Sequence, residues 1–367
     1  MIPQANPGAG YRALKPEIDA AVARALNSGW YILGAEGRAF EAEFAAWLGT
    51  HHAVGCANGT DALCLALRAL GVGPGSAVAT VSHTAVATVA AIEMVGATPV
   101  LIDIDPLHYT IDPVELAEVL AHPPAGLPPI RAVIAVHLYG QAADLDALLP
   151  LCARYGVALI EDCAQAHGAT WHGQRLGTIG AIGTFSLYPT KNLGALGDGG
   201  VVVTNNPAHA ADMAALRQYG WRQHYISDLA GVNSRLDEIQ AAVLRVKLPQ
   251  LDAGNARRQA IAAAFDAALP ALAPARRAGG SHVFHQYVLR LPDRAAVQAQ
   301  LREAGIGSGI HYPQPVHIQP AYRGRVALGP AGCRASELAS DQVLSLPIYP
   351  ELTNDDVAII MTALKKL

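Results

Sequence analysis

Four short polar runs in this 367-residue chain carry side chains able to act on a ligand. Asn58-Gly59-Thr60 makes a small-residue turn between an apolar run and a helix-like segment. Such a turn offers backbone N–H donors and the positive end of a helix dipole to a phosphate, or it is simply a turn followed by a Thr or Asp cap. Asp162 closes the run Val157-Ala-Leu-Ile-Glu-Asp162, where an acid can serve a ligand or cap the next element. Lys191 is the lone cation of Gly183-Thr-Phe-Ser-Leu-Tyr-Pro-Thr-Lys-Asn-Leu-Gly-Ala-Leu-Gly-Asp-Gly-Gly200. The glycine-rich return lets backbone close around a flat ligand, although a lone loop lysine is also an ordinary surface residue. His311-Tyr312-Pro-Gln-Pro-Val-His317 sets two histidines among prolines, suited to touching a substrate or to stiffening a loop. These histidines lack the helical spacing of metal ligands and nothing else completes a cluster, so no metal is expected.

Taken together, the groups meet the needs of an aldehyde cofactor with a phosphate arm. The lysine bonds to the aldehyde, the acid faces a pyridine nitrogen, and the turn holds the phosphate. A negative charge at Asp162 would keep that nitrogen protonated. The protonated ring then takes up the electron pair left when a proton leaves the substrate's α-carbon. A freed Lys191 amine could carry that proton. This is the chemistry of pyridoxal 5'-phosphate, with pyridoxamine 5'-phosphate as the aminated intermediate.

The elements that must position these groups alternate. Apolar runs at 53–56, 77–81, 98–103, 132–136 and 157–162 read as strands. Ala/Leu-rich segments from Asp61, Ala85, Val114 and Asp144 read as the helices between them. Alternation of this kind predicts an α/β fold with a mainly parallel sheet, covered on both faces, whose ligands lie beyond the carboxyl ends of the strands. A helix-like segment from Ser234, kinked or ended by Pro249, connects into a smaller part. The expected division is a large domain at 1–250 and a small C-terminal domain at 251–367, since one core rarely serves a chain this long.

Composition excludes several classes. With half its residues apolar and 15% charged, the chain folds rather than remaining disordered. A net charge of −4 supplies no field for nucleic acid or anionic lipid. No run is long and apolar enough to span a membrane. Five scattered cysteines (Cys56, Cys64, Cys152, Cys163 and Cys333) suit a reducing cytoplasm. Gly177-Thr-Ile-Gly180 and Gly183 do not match the GxGxxG spacing of a dinucleotide-binding oxidoreductase.

The sequence resembles the DegT/DnrJ/EryC1/StrS aminotransferases, which aminate nucleotide-linked keto sugars. The resemblance runs through Gly29-Trp-Tyr-Ile-Leu-Gly34, Asn58-Gly-Thr-Asp-Ala-Leu63, Val136-His-Leu-Tyr-Gly-Gln141, Glu161-Asp-Cys-Ala-Gln-Ala166, the Lys191 segment and Asn233-Ser-Arg-Leu-Asp-Glu-Ile-Gln-Ala241. The runs His311 to His317 and Leu346-Pro-Ile-Tyr-Pro350 point to the branch that acts on dTDP-3-keto-6-deoxyhexoses. The resemblance implies the fold-type-I aminotransferase fold, with a seven-stranded-type sheet and a smaller C-terminal α+β domain. It also implies a cytoplasmic homodimer with shared active sites and glutamate as amino donor.

By motif position, Lys191 would be the covalent anchor and Asp162 the pyridine-nitrogen partner. Gln165 would meet the ring hydroxyl and Ala164 one ring face. Gly59, Thr60 and Ser186 would hold the phosphate, joined by Asn233 from the other subunit. In most relatives an aromatic residue stacks on the ring where this chain has Ala85, and His83 is the candidate replacement. Tyr31, Tyr188, His311, Tyr312 and His317 are candidate substrate contacts. Three other readings remain: a 4-keto sugar aminotransferase, a sugar dehydratase of the same family, and a non-catalytic regulatory paralogue that binds the cofactor. Relatives that dehydrate typically carry histidine in place of the lysine, and this chain retains Lys191.

Overall fold

Five uninterrupted apolar residues, Ala77–Val81, form a strand buried along its whole length, and the end of Ile130–Val136 is equally dry beside it. In the computed structural model, which describes residues 1–367, these two strands lie near the centre of the main sheet. From edge to edge the order is His52–Cys56, Gly200–Thr204, Ile182–Ser186, Ala158–Asp162, Ile130–Val136, Ala77–Val81, Thr98–Ile102 and Ala327–Leu328. All neighbours pair in parallel except Gly200–Thr204, which runs antiparallel to both of its partners. The expected strands are therefore present, with ends shifted by at most two residues. Two further features lie outside the periodicity argument. One is the reversed strand that follows the glycine-rich return. The other is the two-residue eighth strand, contributed from late in the chain.

Helices Gly59–Ala69, Val86–Met94, Pro113–Ala121 and Leu145–Tyr155 fill the crossovers. Gly59–Ala69 buries Ala62 through Leu67 without a break, as a helix enclosed on several sides must. The segment from Ser234 becomes helix only at Glu238, capped by Asp237, and runs to Lys247. Pro249 then sits in a short 3₁₀ turn, and Leu251–Ala268 continues the path. Proline lacks the N–H that a continuous helix needs, which explains the break.

Two apolar cores follow from this arrangement. The larger fills both faces of the main sheet. The smaller gathers Phe265, Tyr287, Leu346 and Ile360 with Ile2 from the N-terminus, around the antiparallel pair Tyr287–Arg290 and Val343–Leu346. No helix is long and apolar enough to cross a membrane.

Candidate active site

Because the strands that carry the site run in parallel, their carboxyl ends share one edge, and a cavity of about 380 Å³ opens there. Its wall brings together residues far apart in sequence: Gly59 and Thr60, Ala85 and Thr88, Asp162 with Ala164 and Gln165, Ser186 with Tyr188 and Lys191, and His311 with Tyr312.

The Asn58 side chain accepts from Asp61 N at 2.8 Å and so caps the helix Gly59–Ala69, leaving Gly59 and Thr60 in its first turn. Ser234 ties this turn down, accepting from Ala57 N at 3.0 Å and donating to Asp61 Oδ2 at 2.6 Å. A Cβ on Gly59 would lie 2.7 Å from the Cβ of Ser186. Only glycine lets the helix start and the strand end close to this spacing. The result is a narrow cradle of N–H donors at a helix N-terminus with the hydroxyl residues Thr60 and Ser186, the environment a phosphate needs.

Asp162 is 6% exposed and Lys191 half-buried. Asp162 Oδ1 accepts from Ala164 N at 3.1 Å and Oδ2 from Thr88 Oγ1 at 3.2 Å. Burial pushes its carboxyl above the usual range, against the opposing pull of those donors and of Lys191. Burial likewise brings the Lys191 amine down to about 8, with Asp162 opposing. A buried carboxylate without an ion-pair partner calls for a cation, and an amine near 8 is partly neutral and nucleophilic at physiological pH. Cradle, carboxylate and amine together fit pyridoxal 5'-phosphate.

Gln165 is fixed at both ends. Its Oε1 accepts from Tyr139 N at 2.7 Å, and its Nε2 donates to Tyr312 Oη at 3.0 Å. Tyr139 holds a left-handed φ of 61°, a strained setting for a side chain of this size. Its hydroxyl donates to His311 O and meets His83 Nε2 at 2.8 Å. His311 lies against Ser345 Oγ at 2.8 Å, and burial lowers it to about 4, so it is neutral near pH 7.

Of the residues singled out from sequence, Gly59, Thr60, Asp162, Ala164, Gln165, Ser186, Tyr188, Lys191, His311 and Tyr312 line the cavity. Four do not. His83 is fully buried one layer behind, held between Tyr139 and Ser340, and Ala85 occupies the wall instead. His317 is engaged by Ser82 at 2.7 Å and Glu337 at 3.0 Å, which makes it part of the loop's scaffold. Tyr31 and Asn233 are exposed, and Asp237, not Asn233, caps the following helix. The cavity also recruits Thr88, Asp198, His285 and Gln286. No sequence signal marked them, although the placement of Thr88 in the first turn of the helix that follows a strand could have.

A group resembling a metal cluster, His137, Glu161 and Cys163, proves to be an anchor. The Glu161 carboxylate accepts from His137 Nε2 at 3.1 Å and from the N–H groups of Gly177, Ile179 and Gly180 at 2.7–2.8 Å. Ala143 N–H donates to His137 Nδ1 at 3.0 Å, which places the ring proton on Nε2, facing Glu161.

Comparison with known proteins identifies the family. Residues 12–365 match the DegT/DnrJ/EryC1/StrS aminotransferase family. The dTDP-3-amino-3,4,6-trideoxy-alpha-D-glucose transaminase of Streptomyces venezuelae is 45% identical over 362 residues, covering 98% of this chain and 94% of the relative. The crystal structure of S. venezuelae DesV in complex with a ketimine intermediate superposes with a TM-score of 0.94 at 44% identity, over 100% of this chain and 98% of that one. A Bacillus subtilis structure, ntda with bound cofactor PMP, has a TM-score of 0.86 at 28% identity, over 95% of this chain and 80% of that one. On this breadth of similarity, the chain belongs to the DegT/DnrJ/EryC1/StrS family of aminotransferases.

Proposed function

We propose that the protein transfers an amino group from L-glutamate to a nucleotide-linked keto-deoxy sugar, a dTDP-3-keto-6-deoxyhexose, giving the 3-amino sugar. The observation that carries this reading is one cavity holding a desolvated lysine, a buried unpaired carboxylate and a cradle of N–H donors. The sugar class is supported by the activity of the Streptomyces relative and by the resemblance of the His311–His317 run to the 3-amino branch.

Pyridoxal 5'-phosphate bound here would supply the electron sink that lets a proton leave an α-carbon. Lys191 would hold its aldehyde carbon, and Asp162 would keep a positive charge on the ring nitrogen. Gly59, Thr60 and Ser186 would grip the phosphate, and Gln165, locked by Tyr139 and Tyr312, would present a fixed amide to the ring hydroxyl. Once free, the Lys191 amine, partly neutral near pH 8, would take the proton from the donor's α-carbon and deliver it to the carbon that had carried the aldehyde. Ala85 and Ala164 in the cavity wall would offer the ring methyl groups and no aromatic stacking.

The partner subunit in this reading is a second copy of the chain, with Asn233 reaching the partner's phosphate cradle. Exposed apolar side chains at Trp30, Tyr31, Tyr225 and Ile226 support a buried interface. Five buried free thiols fit a reducing cytoplasm, and in this reading the chain divides into a large domain at 1–250 and a small one at 251–367.

The test is a panel of dTDP- and GDP-linked 3-keto and 4-keto deoxysugars with glutamate, read by NMR of the products. The dTDP-3-keto-6-deoxyhexose should be the best acceptor, with nitrogen at the sugar's third carbon. Lys191→Ala should turn over none of them. Nitrogen at the fourth carbon would replace this reading with the 4-keto one.

A further inference from the structure

Behind Lys191 lies a second cavity of about 370 Å³, walled by the N-terminal segment, the Lys191 loop and the start of helix Leu251–Ala268. It shares Thr190, Lys191, His285 and Gln286 with the cavity described above. Its other charged residues are Lys247, Arg257, Arg258 and Glu351, so cations outnumber carboxylates four to one when Lys191 is counted.

Arg258 is the unusual member. It is 5% exposed and donates only through Nη1, to Phe284 O at 3.1 Å and Ile348 O at 2.6 Å. No protein acceptor meets its Nε or Nη2, and no carboxylate reaches ion-pairing distance. Burial brings this guanidinium down to about 10, with only the more distant Glu351 opposing. Lys247 is lowered for the same reason, its one contact being Gly194 O at 2.7 Å. Arg257 Nη2 donates to Leu352 O and Asn354 Oδ1, both at 2.9 Å, and also lacks a carboxylate. A desolvated guanidinium is costly unless an anion joins it, and its fork of donors suits a carboxylate.

We propose that this second cavity binds a small carboxylate anion, with Arg258 as its buried cationic partner and Lys247 and Arg257 in its wall. Glu351, at the same wall, opposes the anion and weakens its hold. The site stands on this geometry alone. That its occupant is the amino donor or the keto acid left behind rests on the transaminase reading.

The probe is glutarate, a dicarboxylate with no amino or keto group to exchange, titrated calorimetrically into the cofactor-loaded protein. Saturable binding at one glutarate per subunit is expected. Arg258→Gln, which removes the positive charge, should weaken it about tenfold or more, and Lys247→Met about threefold. Glu351→Gln should tighten it about threefold, an opposite sign that damage to the fold would not produce. Near-UV circular dichroism and cofactor absorbance check that each variant is intact, and if Arg258→Gln misfolds the other two carry the test. No saturable binding, or binding unmoved by all intact variants, overturns the proposal whether or not the protein is a transaminase. Two sources share this chemistry and separate kinetically. A site for the donor makes glutarate raise the apparent KM for glutamate at constant kcat, whereas a site for an unrelated metabolic carboxylate makes it change kcat at constant KM.

Discussion

Glu161 and Asp162 are consecutive residues on one strand, both buried, yet their two sides of the sheet treat a carboxylate in opposite ways. Consecutive strand residues point to opposite faces, so the two groups share a backbone and nothing else. On one face, burial alone would raise Glu161. The His137 hydrogen bond and the N–H groups of Gly177 and Gly180 outweigh it and hold the carboxyl below the usual range. On the other face Asp162 has two donors, burial prevails, and its carboxyl is raised. A charge that the protein satisfies fully is structural, and one left short of partners is waiting for a ligand.

The linkage signs follow. A lowered folded pKa means that Glu161 contributes stability above its unfolded pKa, and this is lost as pH falls through the folded value. A raised folded pKa means that the Asp162 charge costs stability at neutral pH, and the cost disappears as pH falls below the unfolded value. The strand end thus carries a destabilising charge on one face only.

The largest effect that could break this comparison is on rate. Asp162→Asn keeps the shape, and its amide fits: Oδ1 can keep the Ala164 N–H while Nδ2 donates to the Thr88 hydroxyl. The glutamate half-reaction should nevertheless fall by about two decades or more, at roughly 1.4 kcal/mol per decade, because the ring nitrogen loses its counter-charge. The cofactor-free protein should be as stable in urea as the parent or more so. Near-parental single-turnover rates would remove Asp162 from the electron-sink role.

Glu161→Gln should do the reverse. Oε1 accepts from Ile179 and Gly180, and Oε2 from His137 and Gly177, so either amide orientation sets an NH₂ against two donors. The expected loss in unfolding free energy is about 2–4 kcal/mol, seen as a lower urea midpoint, with the rate per folded molecule within about threefold of the parent. A stable but inactive variant would mean that Glu161 serves chemistry after all.

The sequence made much of this strand legible and hid the rest for a physical reason. Parallel strands buried on both faces read as apolar runs, which is why Ala77–Val81 and Ala158–Asp162 could be placed and the polar residues at their ends suspected. Lys191 and Asp162 were visible as lone charges in apolar or glycine-rich settings. A histidine beside a strand end can face the ligand or the layer behind it, and for His83 and His317 the hydrogen bonds to Tyr139, Ser82 and Glu337 that fix the ring depend on the fold. His285, Gln286 and Arg258 reach their cavities through contacts spanning about a hundred residues or nearly so, which no local pattern encodes. The four donors of Glu161 were equally hidden, since three are backbone groups whose direction depends on the fold.

The smallest effect tests the comparison most finely. Thr88 is the only side chain that donates to Asp162, and its Oγ1 lies 3.0 Å from Thr84 Oγ1, so a short hydroxyl chain sets how far the carboxylate is underserved. Thr88→Val preserves shape and removes that donor. Thr88 acts through Asp162 as a positioning residue, so the expected loss is modest, about three- to tenfold in the glutamate half-reaction. Thr88→Ser should restore most of it, and the urea midpoint should hardly move. The hydroxyl also favours the ionised carboxylate, so without it the acid limb of the rate profile should move to higher pH, the direction burial already imposes. A loss as large as that of Asp162→Asn would mean that Thr88 itself touches the reacting groups. No change in rate or in the acid limb would mean that Asp162 is set by burial and Ala164 alone, and the contrast with Glu161 would then rest on backbone donors.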